Sequence, residues 1–482
     1  MRSQLALIGI CALLLAACGP RIDNERLRVD VVENQPRAMA VGALPLPAAS
    51  AYLRMATARG LVGFDDEGRV VPALAARWIT AEDGLSYIFR LEKTRWNDGR
   101  DISSDEVAIA LSQRLIDLRR SRIASELAVI DRIVPMTGKV IEIRLKAPMP
   151  NLLELLAQPE FGLLRKNVGS GPMIARKQAG VMQLSLRALD PERGVALEDA
   201  RLALSAHDGP TALARFVVGE TDLVLEGRFE HLPYLAATDG KEGAVYDSPP
   251  GMFGLLFVAT GPFLSDAANR EAITKAFDRP RMISDFNVNI WKEMLTIAPE
   301  ALPNRAEVAR PDWASRRIDQ RKADARSVIQ NWQSENGKVR PLRIAMPRGP
   351  GSRMLFARIK SDLAAIGLSA ERVTAGQQED VRLIDQLADM TSPAWYLEQL
   401  SCQVTTICSA EVDAQVAEAQ RSTDRDERMR LLGEAELKLQ NLRNFVPLAN
   451  PVRWSLPRNG LLGFTPNARG WHPLQYLGRD PK

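Results

Sequence analysis

Between residues 83 and 118 the chain changes its hydrophobic period. Leu85, Tyr87, Phe89 and Leu91 alternate with Ser86, Ile88 and Arg90, the two-residue period of a strand with one buried face. Asp83-Gly84 sets a turn before that strand and Asn97-Asp98-Gly99 a turn after it, because Gly and Asn tolerate the positive φ of tight turns. Ser103-x-x-Glu106 then reads as a capping box, serine satisfying one orphan amide and glutamate reaching back to the cap amide. Val107, Leu111, Leu115 and Leu118 follow at helical spacing.

The same alternation of strand and helix continues downstream. Ile141, Ile143 and Leu145 alternate with polar residues and stop at Pro148-Met149-Pro150. Phe253–Val258 is an apolar run of buried-strand length, and Ser265 or Asp266 caps a helix with Ala272, Ile273, Ala276 and Phe277 on its inner face. Leu342–Met346 predicts a strand, Met354–Gly367 a helix ended by glycine, and Asp424-x-x-Glu427 the cap of a long helix through Met429, Leu432, Leu439 and Leu442. No repeat or low-complexity segment interrupts this order, so the fold class is α/β.

Composition adds size and compartment. A chain of 482 residues with 46% hydrophobic and 25% charged residues is a globular protein with room for several cores. The N-terminus differs: Arg2 precedes an apolar run from Leu5 to Ala17, and Leu15-Ala16-Ala17-Cys18 matches the lipobox of bacterial lipoproteins. That run is too short to span a bilayer and reads as an export signal, with Cys18 the lipidation site and residues 19–26 a tether. Export to an oxidising compartment predicts a disulfide between Cys402 and Cys408. His207, His231 and His472 are scattered, with no CxxC or HExxH, so no metal site is expected. The formal charge of +4 is dispersed, and short basic clusters such as Arg119-Arg120-Ser121-Arg122 give no nucleic-acid footprint. No GxSxG, phosphate loop or other catalytic motif appears, so no enzyme activity and no cofactor are expected.

Several landmarks in order resemble the family 5 solute-binding proteins, the extracytoplasmic receptors of peptide, nickel and related ABC importers. They are Gly60-Leu61-Val62 through Trp78, Trp96 and Val107; Gly169-Ser170-Gly171-Pro172; Gly219-Glu220-Thr221-Asp222; the block from Phe253 to Arg279; and Asp424, Arg428 and Leu431 followed by Pro447-Leu448. The resemblance implies a two-lobed periplasmic-binding-protein fold of type II with an extra subdomain and a hinge. One lobe would comprise residues 27–250 and 448–482, with the subdomain at about 46–165, and the other residues 251–447.

It also implies where a solute is held. Asp389 matches the aspartate that pairs with a peptide's α-ammonium in peptide-binding members, although Gln386 stands where they have tryptophan, and a shorter preceding segment makes Asp385 the alternative. Trp395 is a candidate for packing on the ligand, Arg348 for clamping a carboxylate, and Cys402 and Cys408 for stiffening a loop beside the cleft. The implied protein is a monomer, lipid-anchored on the periplasmic or cell-surface side of a bacterial membrane. It passes a small solute, a peptide or something similar, to an ABC permease and ATPase complex. The competing reading is a non-transport lipoprotein on the same scaffold, a sensor or envelope interaction protein, which predicts no deep polar cleft.

Overall fold

The computed structural model describes residues 26–478, apart from residues 43, 122, 179, 187–201, 239–242 and 309. The signal, Cys18 and nearly all of the tether lie outside the described residues. The chain enters with β1 (Leu27–Val32), then builds a hairpin from β2 (Val62–Phe64) and β3 (Val70–Pro72). A meander follows: β4 (Ala75–Thr80), β5 (Ser86–Leu91), β6 (Ile130–Met136) and β7 (Val140–Leu145). It returns through β8 (Met173–Gln178), β9 (Val181–Leu186), β10 (Leu202–His207), β11 (Leu223–Gly227) and β12 (Val245–Asp247). Next come β13 (Gly251–Phe257), β14 (Leu342–Ala345), β15 (Ala370–Val373) and β16 (Val381–Leu387), and finally β17 (Phe445–Ala449) and β18 (Arg453–Pro457).

These strands form a seven-stranded sheet in the order β12-β18-β11-β1-β10-β9-β8 and a five-stranded sheet in the order β15-β14-β16-β13-β17. The meander is a separate antiparallel sheet, β4-β5-β7-β6. Both large sheets are mixed: β1 runs parallel to β10 and β11, and β14 parallel to β15 and β16, with helical connections between the parallel strands. One ribbon joins them. β12 pairs with β18, Asp247 opposite Arg453, and a few residues on β13 pairs with β17, Phe253 opposite Ala449, so two adjacent strands run from one sheet into the other.

Local signals account for many elements. Ser103 Oγ accepts from Glu106 N at 3.2 Å while Glu106 Oε2 accepts from Ser103 N at 3.4 Å, and the helix Ser104–Asp117 buries Val107 and Leu111. On β5, Tyr87, Phe89 and Leu91 face the core. Asp266 caps Ala267–Ala276, and Asp424 caps Arg425–Leu442. Both boundaries of one helix differ from expectation: the helix expected over Met354–Gly367 spans Pro350–Ala364, with Pro350 in the first turn, where its missing N–H costs nothing. Composition at Pro350-Gly351-Ser352 suggests a loop, but small residues are required there because a Cβ on Gly351 would lie 2.2 Å from Phe229 O.

The cores do not follow the sheets one to one. Phe89, Trp96 and Ile143 of the meander region share a cluster with Trp395, Tyr396, Leu432 and Leu439. A second cluster gathers Phe229, Phe253, Phe257, Trp291 and Trp454 around the ribbon, where edge-to-face contacts such as Phe229–Phe253, with centroids 5.1 Å apart, order the rings. Among the described residues no helix is long and apolar enough to cross a membrane.

The Gly169–Pro172 landmark owes its glycines to a close approach. Gly171 N donates to Thr57 O at 2.8 Å, and a Cβ on Gly171 would sit 2.3 Å from the Thr57 carbonyl carbon. Gly171→Ala is expected to cost about 3 kcal/mol, because the obstacle is backbone that cannot swing aside. Gly99→Ala meets nothing within 4 Å and pays only for its positive φ of +87°, about 1 kcal/mol. Urea denaturation of both variants checks this; equal midpoints would contradict the packing argument.

Candidate functional site

β16 runs antiparallel to β13, and Ala388 N donates to Pro250 O at 2.9 Å, extending the ladder to the edge of the ribbon. The next residue is Asp389. Its carboxylate is 3% exposed and accepts from Trp395 Nε1 at 3.3 Å, while its carbonyl accepts from Gln158 Nε2 at 2.6 Å. Pro393 then opens the helix Pro393–Glu398, which turns Trp395 inward against Tyr396, ring centroids 4.9 Å apart. Asp389 and Trp395 are thus brought together.

This turn separates two cavities. On one side Asp389, Gln158, Leu387, Arg469 and Trp471 enclose only about 30 Å³, room for about one water molecule. On the other side is a cavity of about 400 Å³, within the size range of ligand pockets. One wall comes from the meander region, Ala124–Leu127 and the loop 146–151; the other from residues 390–398 and the helices Ala410–Arg421 and Arg425–Leu442. The walls are tied at their edge, where Thr391 N donates to Glu154 Oε2 at 2.6 Å and Asn151 Nδ2 donates to Thr391 O at 3.1 Å.

Met149, Met390, Trp395 and Leu432 give the cavity its apolar surface, with Glu126, Glu398, Gln420 and Arg428 as polar members. Glu126 and Glu398 face each other from opposite walls within hydrogen-bonding reach, Ser125 Oγ donates to Glu126 Oε2 at 2.8 Å, and Gln420 Nε2 donates to Glu398 Oε1. Burial, and then the negative charge of Glu126, push the Glu398 carboxyl up to about 8. Sequence reasoning missed these two glutamates. Each stands alone on a helix and resembles a solvated charge; only tertiary packing joins them.

The other expected site residues lie elsewhere. Asp385, on β16, accepts from Arg453 Nη1 at 2.9 Å, both side chains being buried. Arg228 is also nearby: burial opposes its charge, and Asp385, Glu230 and Glu226 more than offset that, raising its pKa. Asp385 is therefore the centre of a charged knot where the sheets meet, and it lines neither cavity. Arg348 is exposed beyond β14 and also lines neither cavity. Cys402 and Cys408 are joined in a disulfide with Cα atoms 5.0 Å apart, in the link between two helices that line the larger cavity. His472 Nε2 lies 2.9 Å from Asp247 Oδ2, and His231 is buried next to the helix starting at Gly209. Among the described residues no group of three or more His, Cys, Asp and Glu side chains is placed to hold a metal ion.

A two-strand ribbon joins the two large sheets, and a ligand-sized cavity lies between the meander region and the helices that carry residues 393–432. The chain belongs to the bacterial extracellular solute-binding proteins, family 5, whose middle-region model matches residues 69–400. It is 22% identical to the "Probable di/tripeptide-binding protein 5" of Pseudomonas aeruginosa (strain UCBPP-PA14), over 85% of this chain and 87% of the relative. Haemophilus influenzae OppA in complex with RPPGFSPFR superposes with a TM-score of 0.75 at 15% identity, covering 94% of this chain and 99% of the other. NikA from Brucella suis in complex with Fe(III)-EDTA gives 0.76 at 17% identity, covering 94% and 100%. These likenesses establish the expected two-lobed binding-protein fold.

The Glu398 environment has a pH signature. Its carboxyl is protonated in the folded chain and ionised in the unfolded chain between the ordinary glutamate value, 4.5, and about 8. The folded state therefore holds the extra proton, so this group's contribution is fully present below the lower value and is lost as pH rises through the window, with a limiting slope of about 1.4 kcal/mol per pH unit. Glu398→Gln removes that slope. Urea denaturation from pH 5 to 8 is expected to show wild-type stability declining relative to the variant; parallel curves would refute the assignment.

Proposed function

We propose that the chain is the solute-binding receptor of an ABC importer, capturing a peptide or similar small solute in the cleft beside Asp389 and Trp395 and delivering it to a permease and ATPase complex. The observation that carries this reading is the cavity of about 400 Å³ with walls from two separate parts of the chain, beside a two-strand ribbon that we take as the hinge. An open and a closed form related by such a hinge differ by a few kcal/mol, and a ligand touching both walls favours the closed one. Capture by this route needs no chemistry on the solute. The competing reading, a sensor or envelope interaction protein, is not favoured by the relatives, which are named as peptide-binding proteins or hold a bound peptide.

In this proposal the first lobe is residues 27–250 with 448–482, carrying the subdomain at about 46–165, and the second is residues 251–447. The crossings of the ribbon support that division. Trp395 is the expected residue we assign to the solute, with the cavity's polar members added; Asp389 lines the small cavity and holds Trp395 through its indole N–H, and Asp385 and Arg348 are assigned to neither wall. A peptide fits the name of the Pseudomonas relative and the bound peptide of the Haemophilus structure, whereas the Brucella structure holds a metal chelate, so the fold alone does not choose the solute.

Native mass spectrometry of protein purified without refolding is expected to show a bound mass in the di- to tetrapeptide range, and a panel of such peptides to raise the melting temperature by several degrees. A ligand-free protein indifferent to the whole panel would overturn the peptide reading.

We also assign lipidation to Cys18, which tethers the monomeric receptor to the outer side of a bacterial membrane. Cys18→Ser is expected to move the protein from the membrane fraction to the soluble fraction; continued sedimentation with membranes would exclude the tether.

A further inference from the structure

This inference rests on the reading of the larger cavity as the solute site and concerns what holds its two walls in register. Thr391 belongs to the second lobe and lines that cavity, and each of its polar groups meets a side chain of the first lobe. Its N–H donates to Glu154 Oε2 at 2.6 Å, its carbonyl accepts from Asn151 Nδ2 at 3.1 Å, and its hydroxyl oxygen accepts from Arg469 Nη2 at 3.4 Å. The same Nη2 lies 3.1 Å from Glu154 Oε2, so arginine and glutamate grip the threonine and each other. Their side chains are 14% and 21% exposed, so water and salt compete with the pair less than on an open surface.

The socket is assembled within the first lobe. Arg469 Nε donates to Gly68 O at 3.0 Å, and its guanidinium stands over the Phe64 ring, 4.9 Å from the centroid. Its backbone is fixed by Asn467, whose Oδ1 accepts from Arg469 N at 2.9 Å while its own N–H donates to Asp247 Oδ1 at 2.7 Å and Nδ2 donates to Asp66 O at 2.9 Å. None of these bonds reaches residues 251–447. The apolar cluster shared by the walls also packs at this seam, but apolar contact has no preferred direction, whereas three hydrogen bonds converging on one residue fix its position. Glu154 and Arg469 do not line the larger cavity.

We infer that Asn151, Glu154 and Arg469 form a docking socket for Thr391 that sets the closed arrangement of the cavity walls, with Glu154 and Arg469 as positioning residues that act on the solute only through it. Docking holds the turn at residues 389–391 against the first lobe, and with it the helix that carries Trp395. A solute spanning the cavity binds the arrangement the socket selects. Loss of the socket therefore lowers affinity without removing a contact to the solute, by reducing the population of the binding-competent form.

Hydrogen–deuterium exchange on the solute-free protein tests the docking directly, because the Thr391 amide carries the hydrogen donated to Glu154. Arg469→Ala is expected to speed exchange over residues 389–392, corrected for intrinsic rates, by at least about tenfold, the factor a charge-assisted bond supplies, while β13 and β16 keep wild-type protection. Thr391→Val, which removes only the hydroxyl, is expected to act in the same direction by a smaller factor. Faster exchange spread equally over β13 and β16 would make Arg469 a residue of the fold and overturn the docking role, as would unchanged exchange at 389–392 in both variants. Isothermal titration with the tripeptide Leu-Phe-Leu supplies the second arm: Arg469→Ala is expected to weaken binding by a factor similar to the exchange effect. Wild-type affinity in both variants would overturn the link between docking and capture and leave the peptide reading standing. A wild-type protein that does not bind the tripeptide would count against the peptide reading, and the exchange result then decides the docking role by itself.

Discussion

The buried ion pair between Asp385 and Arg453 marks the constraint on which the rest of this molecule depends. Arg453 opens β18 in the seven-stranded sheet, and Asp385 lies on β16 of the five-stranded sheet, opposite Phe253. The chain crosses between the sheets along the ribbon, and at that point the pair joins both sides. Such a pair adds little net stability over a well-packed apolar substitute, but losing one partner strands a buried charge at a cost of about 3–5 kcal/mol. Its consequence is therefore geometric: it fixes how β16 leaves the crossing. The turn at Asp389, four residues on, inherits its position from that direction.

From that turn the rest of the site follows. Asp389 anchors Trp395, the helix Pro393–Glu398 carries Glu398 to the cavity, and the disulfide between Cys402 and Cys408 shapes the connection into Ala410–Arg421, which supplies Gln420. The facing wall is built independently by the meander region. Its edge contacts with residues 391 and 389 are hydrogen bonds, through Glu154, Asn151 and Gln158. Hydrogen bonds exchange readily with water at small net cost, but the two walls also share an apolar cluster that includes Phe89, Trp96, Trp395 and Leu432, so the seam is held by packing as well as by polar contacts.

What was legible in the sequence divides along the same line. The strand at Tyr87–Leu91, the capping box at Ser103 and Glu106, and the Asp266 and Asp424 caps are specified by neighbours within a few residues, so period and cap chemistry reveal them. The glycines at 169–172 were visible as a turn, but their reason, the backbone of Thr57, was not. Asp385 was the alternative to Asp389 because the segment before it is short against the family pattern, and nothing local to a strand carboxylate announces the arginine that register brings beside it. The start of the helix at Pro350 was hidden for a similar reason, since Gly351 answers to the backbone of Phe229 and not to helix propensity.

The cavity was the least legible part because its chemistry belongs to no single segment. Glu126 lies in a four-residue helix of the meander region and Glu398 at the end of a short helix far along the chain; each alone has the local character of a surface charge. Their meaning appears only in the packed structure, where burial and then the charge of Glu126 raise the Glu398 carboxyl. A cavity that takes its lining from two distant parts of the chain leaves the sequence of each wall uninformative, since neither carries the other's residues.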